Sequence, residues 1–146
     1  MKIHIPYEFP NWNEYILAER SNRYIASDMK KVDKEAVIWL VKEKYQGSYP
    51  VTLTIRPYFK HKKKDLDNYR IKGLLDGLVS AGVIVNDNLT KIDKIILEPV
   101  FTDEVGVDVI IEPTEHKKDE LREFIESLSD EDIDIIKSKL SEYFDN

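Results

Sequence analysis

Lysine fills four of the five positions from Lys60 to Lys64, and Asp65 and Asp67 follow directly, one residue apart. A basic run attracts phosphate, and a close acidic pair attracts a divalent cation. Together they suit chemistry on a phosphodiester backbone. On an extended segment, residues i and i+2 face the same side, about 6.5–7 Å apart, so both carboxylates can meet one ion. Asp87 follows the apolar run Val83-Ile84-Val85 and stands between two asparagines. A strand ending there would carry a third carboxylate to the first two. Lys72, one turn into the helix expected after Asp67, can stabilise charge on a phosphate. Arg70 can do the same.

Each residue also has a plainer role. Taken alone, Asp-x-Asp favours Asp67 capping the next helix, with Asp65 solvated. Asp87 suits a turn. Lys72 and Asp76 can form a surface ion pair at i, i+4. Most lysine runs are solvated loops, and here it is the placement of Lys60, Lys62, Lys63 and Lys64 before the acidic pair that sets them apart. His61 adds a donor. Asn11, Asn13, Arg20 and Arg23 put further phosphate donors near the N-terminus. Trp12 and Tyr15 can stack on bases or anchor their loop. An EF-hand is excluded, because Tyr69 and Arg70 stand where that loop needs Asp or Asn and then Gly.

The elements that must position these groups follow from periodicity. Lys2–Ile5 alternates as a short strand before Pro6. Residues 7–27 lack a clean period and read as a long loop or a loop with a short helix. Residues 28–45 read as a helix capped by Asp28, with Val32, Ala36, Trp39, Leu40 and Glu43 on one face and Val37, Ile38 and Val41 widening it. Val51–Phe59 alternates as a strand, with Val51, Leu53 and Ile55 opposite Thr52, Thr54 and Arg56. Residues 69–80 give the clearest helix, with Ile71, Leu74, Leu75, Leu78 and Val79 on one stripe, Asp67 or Asn68 as cap and Gly82 beyond its end. Val83–Val85 reads as a short strand, and residues 92–101 and 105–112 as two more. The class is α+β, a mixed β-sheet with helices packed on it. A C-terminal helical hairpin follows, Glu115–Leu128 and Asp130–Phe144. Ser129 caps its second helix, and its seam holds Leu121, Phe124, Ile125, Leu128, Ile133, Ile136, Leu140 and Phe144.

The boundary falls at the change of character after Pro113, giving a body of residues 1–113 and an acidic extension of residues 114–146. The net charge of −6 argues at first against a polyanionic partner. Residues 115–146, however, hold 5 basic and 11 acidic side chains, which leaves 17 of each in residues 1–114. The body is therefore neutral overall and locally polarised, and local potential decides where a polyanion docks. The chain has no cysteine, no apolar run near the roughly 20 residues of a membrane span, and no apolar h-region after Met1. A cytoplasmic location without a membrane partner is expected.

Lys62–Asn68, then Lys72-Gly-Leu-Leu-Asp76-Gly-Leu, then Ala81-Gly82-Val83-Ile84-Val85-Asn86-Asp87 resembles the RusA family of Holliday junction resolvases of bacteria, prophages and phages. Ile3-His4-Ile5-Pro6 through Asn13-Glu14-Tyr15 and Arg23 resembles the family's opening strand and Asn-rich loop. The likeness covers about residues 1–112. It implies a RusA-like fold and a structure-selective endonuclease that resolves four-way DNA junctions by paired cuts in recombination and repair. It implies that Asp65, Asp67 and Asp87 are catalytic, Mg²⁺-binding carboxylates, with Mn²⁺ as a substitute, and that Lys72 is the essential lysine. It also implies a homodimer matched to a two-fold junction. In the family pattern the lysine follows the second Asp by four residues, whereas Lys72 follows Asp67 by five. Either the segment before the helix absorbs the extra residue or Arg70 takes the lysine's place. A non-catalytic module that binds branched DNA or recruits a partner is the alternative on the same fold.

Overall fold

The computed structural model describes residues 1–114 and 116–144. Contacts divide the chain into two compact units, Met1–Thr114 and Glu115–Asn146. In the first unit the order is β1 (Lys2–Ile5), α1 (Trp12–Ser21), α2 (Arg23–Leu40), β2 (Val51–Phe59), a 3₁₀ turn (Leu66–Asn68), α3 (Ile71–Ser80), β3 (Ile92–Leu97), β4 (Val100–Phe101) and β5 (Val107–Pro113). The expected α+β class is the class found.

One mixed sheet runs β1-β5-β2-β3, with β4 also on β2. β2 is antiparallel to β5 and parallel to β3 and β4. A parallel neighbour needs a crossover, and α3 supplies it between β2 and β3. Alternation along the strands gives the sheet two unlike faces. Ile3, Val109 and Ile55 form one register row and Leu53 and Ile111 another, all buried. These rows pack with Val37, Val41, Leu74 and Leu78 from the helical layer. On the opposite face His4, Asp108 and Arg56 share a row.

Several elements differ from expectation, each for a local reason. The segment read as a long loop or a loop with a short helix holds α1, started by a reciprocal cap. Asn11 Oδ1 accepts from the Glu14 N–H at 2.9 Å, and Glu14 Oε2 accepts from the Asn11 N–H at 2.8 Å. This satisfies two orphan donors at once. α2 starts at Arg23 on an Asn22 cap, so Asp28 lies inside the helix, and it ends at Leu40. Its buried positions are Ala26, Asp33 and Val37, while Val32 and Trp39 are exposed. The inward face is turned from the expected stripe because Asp33 is buried against an arginine.

α3 closes in a Schellman arrangement. Val83 N–H reaches Leu78 O at 2.9 Å and Gly82 N–H reaches Val79 O at 3.0 Å. Gly82 takes φ +71°, which a side chain would disfavour. Val83 and Ile84 then plug the core from a bend, so the expected strand at 83–85 is absent. A Cβ at Gly77 would meet Val37 Cγ2 at 2.4 Å, so this glycine lets α3 lie close on α2.

The second unit holds α4 (His116–Ser127) and α5 (Asp130–Phe144). Ser129 Oγ accepts from Asp132 N–H at 3.2 Å and Asp132 Oδ2 accepts from Ser129 N–H at 3.1 Å. The Ser129 hydroxyl also donates to Asp132 Oδ2 at 2.6 Å, and the hydroxyl and N–H of Ser129 together hold the Asp132 carboxyl below its usual range. Leu128 and Ile133 are half-buried, while Phe124, Ile125, Ile136 and Leu140 are exposed. Glu115 and the side chains of Leu121 and Phe144 lie outside the described residues. No helix among the described residues is long and apolar enough to cross a membrane.

Candidate active site

β2 delivers the chain to its C-terminal edge at Phe59, where the residues of interest begin. Crevices beyond the carboxyl ends of strands are where open sheets with parallel strands hold ligands. A cleft of about 260 Å³ opens there. The end of β2 (Tyr58, Phe59), the following segment (Lys60, His61, Lys64, Asp65), the β1–α1 connection and residues Glu104–Gly106 wall it. Two lysines, a histidine and four carboxylates (Glu8, Glu14, Asp65 and Glu104) thus share a concave surface with the amide side chains of Asn11 and Asn68. Such a surface can grip a phosphate and place a carboxylate beside it.

The remaining residues fall as follows. Lys62 and Lys63 are exposed, and the Lys62 ammonium lies 5.2 Å from the Phe101 ring centroid. Asp67 is exposed in the 3₁₀ turn and Asp87 is exposed on the loop after α3. Asp65 is extended, at φ −79° and ψ 123°, and the chain coils immediately afterwards. A 3₁₀ turn rotates about 120° per residue, so the side chains of i and i+2 point about 120° apart instead of sharing a face. Among the described residues no three His, Cys, Asp or Glu side chains are close enough to hold a metal ion. The expected convergence of Asp65, Asp67 and Asp87 is therefore not seen. Their oxygens are of the hard type that Mg²⁺ takes, but as placed they do not make a three-ligand cage.

Lys72 Nζ lies 3.2 Å from Asp76 Oδ1, and its side chain is 57% exposed. Arg70 corrects an expectation: it is not a DNA contact. It is 2% exposed, forms an ion pair with the buried Asp33, and donates from Nε to Pro10 O at 2.9 Å. It cannot replace the lysine. The 3₁₀ turn ends at Asn68, Arg70 is non-helical at φ −87° and ψ 80°, and α3 starts at Ile71.

Neither Asp67 nor Asn68 caps α3, whose first residue follows Arg70 with no side-chain cap. Asn68 Oδ1 instead accepts from the Asn13 N–H at 3.0 Å, in the first turn of α1. Arg20 and Arg23 are exposed at the other end of α1, about 13 Å along its axis from Asn11. Trp12 and Tyr15 meet edge to face at 6.0 Å, and Tyr15 is buried, so this ring anchors and does not stack on bases.

The sequence reading missed Tyr7, Asp33, Glu8, Glu14 and Glu104. Tyr7 Oη donates to Asp33 Oδ1 at 2.8 Å, and burial followed by that carboxylate pushes the phenol up. Glu14 had a signal, the Asn-x-x-Glu box at 11–14. Asp33 also had one, an acid seven residues from Ala26 and four from Val37 on the inward face.

A protein-family model described as Endodeoxyribonuclease RusA matches residues 6–112. No curated protein matches the chain. The match covers most of the chain and takes in the cleft, the acidic segment, α3 and the Asp87 loop. The chain belongs to the RusA family of endodeoxyribonucleases, the Holliday junction resolvases.

Proposed function

We propose that this chain cuts four-way DNA junctions as a homodimer, making paired phosphodiester cuts with a preference set by junction shape. The carrying observation is the cleft at the end of β2, where Lys60, His61, Lys64 and Asp65 stand together inside the region shared with the family. Lys60, Lys62, Lys63 and Lys64 track the phosphate backbone, with Asn13 and Arg20 on the flank along α1 and Arg23 at the start of α2. Asp65, Asp67 and Asp87 are the acidic groups of the cutting site, and Lys72 stabilises charge on the scissile phosphate. RusA-family nucleases depend on a divalent metal, and Mg²⁺ is the cation we assign here. Two-fold pairing of subunits matches two cuts placed symmetrically about a junction. A DNA substrate of this kind implies a cytoplasmic location.

A nicking assay on a synthetic four-way junction tests this. Paired symmetric cuts in Mg²⁺, lost with EDTA and in Asp67→Asn, are expected. Junction binding without cuts in any divalent cation would sink the proposal in favour of a binding module. No binding at all would remove the DNA partner as well.

A further inference from the structure

We infer that Asp33 and Arg70 are positioning residues for strand cutting: their buried ion pair fixes the short stretch between the Asp65–Asp67 pair and Lys72. The inference rests on the proposal that those three residues belong to the cutting site.

The pair has almost no access to solvent, with side chains 2% and 1% exposed for Arg70 and Asp33. Both oxygens of Asp33 are used. Oδ1 takes the Tyr7 hydroxyl at 2.8 Å, and Oδ2 takes Arg70 Nη2. Arg70 Nε donates to Pro10 O at 2.9 Å, and its guanidinium lies 4.9 Å from the Tyr15 ring centroid. The holders therefore come from the β1–α1 connection, α1 and α2. α3 contributes a vacancy: a Cβ on Gly73 would stand 2.9 Å from both Arg70 Nη2 and Asp33 Oδ2.

The position of Arg70 matters more than the strength of its bonds. It comes three residues after Asp67 and two before Lys72, at the non-helical step where the 3₁₀ turn gives way to α3. A one-residue slip in the start of a helix turns every later side chain by about 100°. Anchoring Arg70 to α2 fixes where α3 begins, and so the direction in which Lys72 leaves the helix relative to the acidic pair. A buried ion pair is a poor way to gain stability, because apolar residues of similar volume do as well or better. What it adds is direction, since a planar fork meets its partners in one geometry.

The test uses the full chain and the double variant Asp33→Leu/Arg70→Met, which removes both charges together and leaves neither unpaired. Expected are an unchanged melting temperature within a few degrees, an unchanged Kd for a four-way junction in cation-free buffer, and a kcat in Mg²⁺ lowered roughly 10- to 100-fold. Arg70→Lys keeps the charge without the fork and should also lose kcat with Kd retained. Wild-type kcat in the double variant overturns the inference. So does a loss of kcat that merely follows a weaker Kd or unfolding at the assay temperature, since that is a structural role. Asp67→Asn is run beside them. If Asp67→Asn still cuts, the assignment of the site fails and the inference with it. If Asp67→Asn is dead while the double variant cuts normally, only the inference fails.

Discussion

The Asn68 carboxamide oxygen accepts a hydrogen bond from the backbone N–H of Asn13 at 3.0 Å. The donor is one of the first four N–H groups of α1, which have no partner inside the helix. The acceptor closes the 3₁₀ turn that carries Asp67. One bond thus completes the start of a helix and ties down the acidic segment. Asn68→Ala should cost about 1 kcal/mol, as loss of a capping acceptor does, seen as a fall of roughly 3–5 °C in Tm. It should also lower the cutting rate at saturating junction. Asn68→Asp keeps an acceptor at a helix N-terminus, where negative charge is favoured, and should hold Tm near wild type. Loss of Tm in both variants would refute the bond as its source.

Tyr69 follows Asn68 and behaves in the opposite way. Its ring meets Phe59 edge to face at 6.4 Å, while its hydroxyl is buried without a hydrogen-bond partner among the described residues. Burial, and then the Asp33 carboxylate, push the phenol well above its ordinary range. A buried hydroxyl without a partner is a cost that the phenyl ring alone does not carry. Tyr69→Phe should raise stability by about 1 kcal/mol and leave cutting unchanged. A lower Tm would show that the hydroxyl has a partner after all, for instance a water.

How far the sequence foretold these features depends on whether a feature is periodic. β2 was legible because one of its faces is apolar and the other polar, so alternation marks both its extent and its orientation. The stripe from Ile71 to Val79 and the stop at Gly82 were legible for the same reason. α1 is only weakly amphipathic, and its evidence was the Asn11–Glu14 box. The α2 face was misjudged because its inward side carries Asp33, whose charge is matched by Arg70 across 37 residues. Arg70 was misjudged with it, since nothing local marks an arginine as buried. The geometry of Asp65, Asp67 and Asp87 depends on two irregular segments, and backbone coiling there leaves no repeat to read.

The polar face of the sheet gives a pH-dependent prediction. Asp108 is 8% exposed, and burial alone would raise its carboxyl. Hydrogen bonds from His4 and Tyr58 and the charge of Lys2 outweigh burial and bring it below the usual carboxylate range. His4 Nδ1 lies 2.7 Å from one oxygen and Lys2 Nζ 3.6 Å from the other. A carboxyl depressed in the folded state stabilises the fold above its unfolded pKa, and that contribution is lost as pH falls through the folded pKa. Asp108→Asn should therefore cost about 1 kcal/mol at roughly pH 6. The gap from wild type should close at pH values below the depressed pKa. A gap of constant size across the acid range would mean that shape, not charge, is what the aspartate supplies.

The proposed grip of the lysine run on the DNA backbone can be read through its salt dependence. The chain is net negative, at −6, so DNA affinity must arise from a local field that the summed charge conceals. Lys60 and Lys64 line the cleft, whereas Lys62 lies by the Phe101 ring and Lys63 is exposed. Each lysine that neutralises a duplex phosphate steepens log Kd against log salt by about 0.9. Lys60→Gln/Lys64→Gln should flatten that slope by roughly 1.8 between about 50 and 200 mM salt and weaken junction and plain duplex alike. Preference for the junction over duplex should persist, because phosphate contacts position DNA without reading its form. An unchanged slope would take the run off the backbone. A lost junction preference would mean that these lysines recognise the branch point itself.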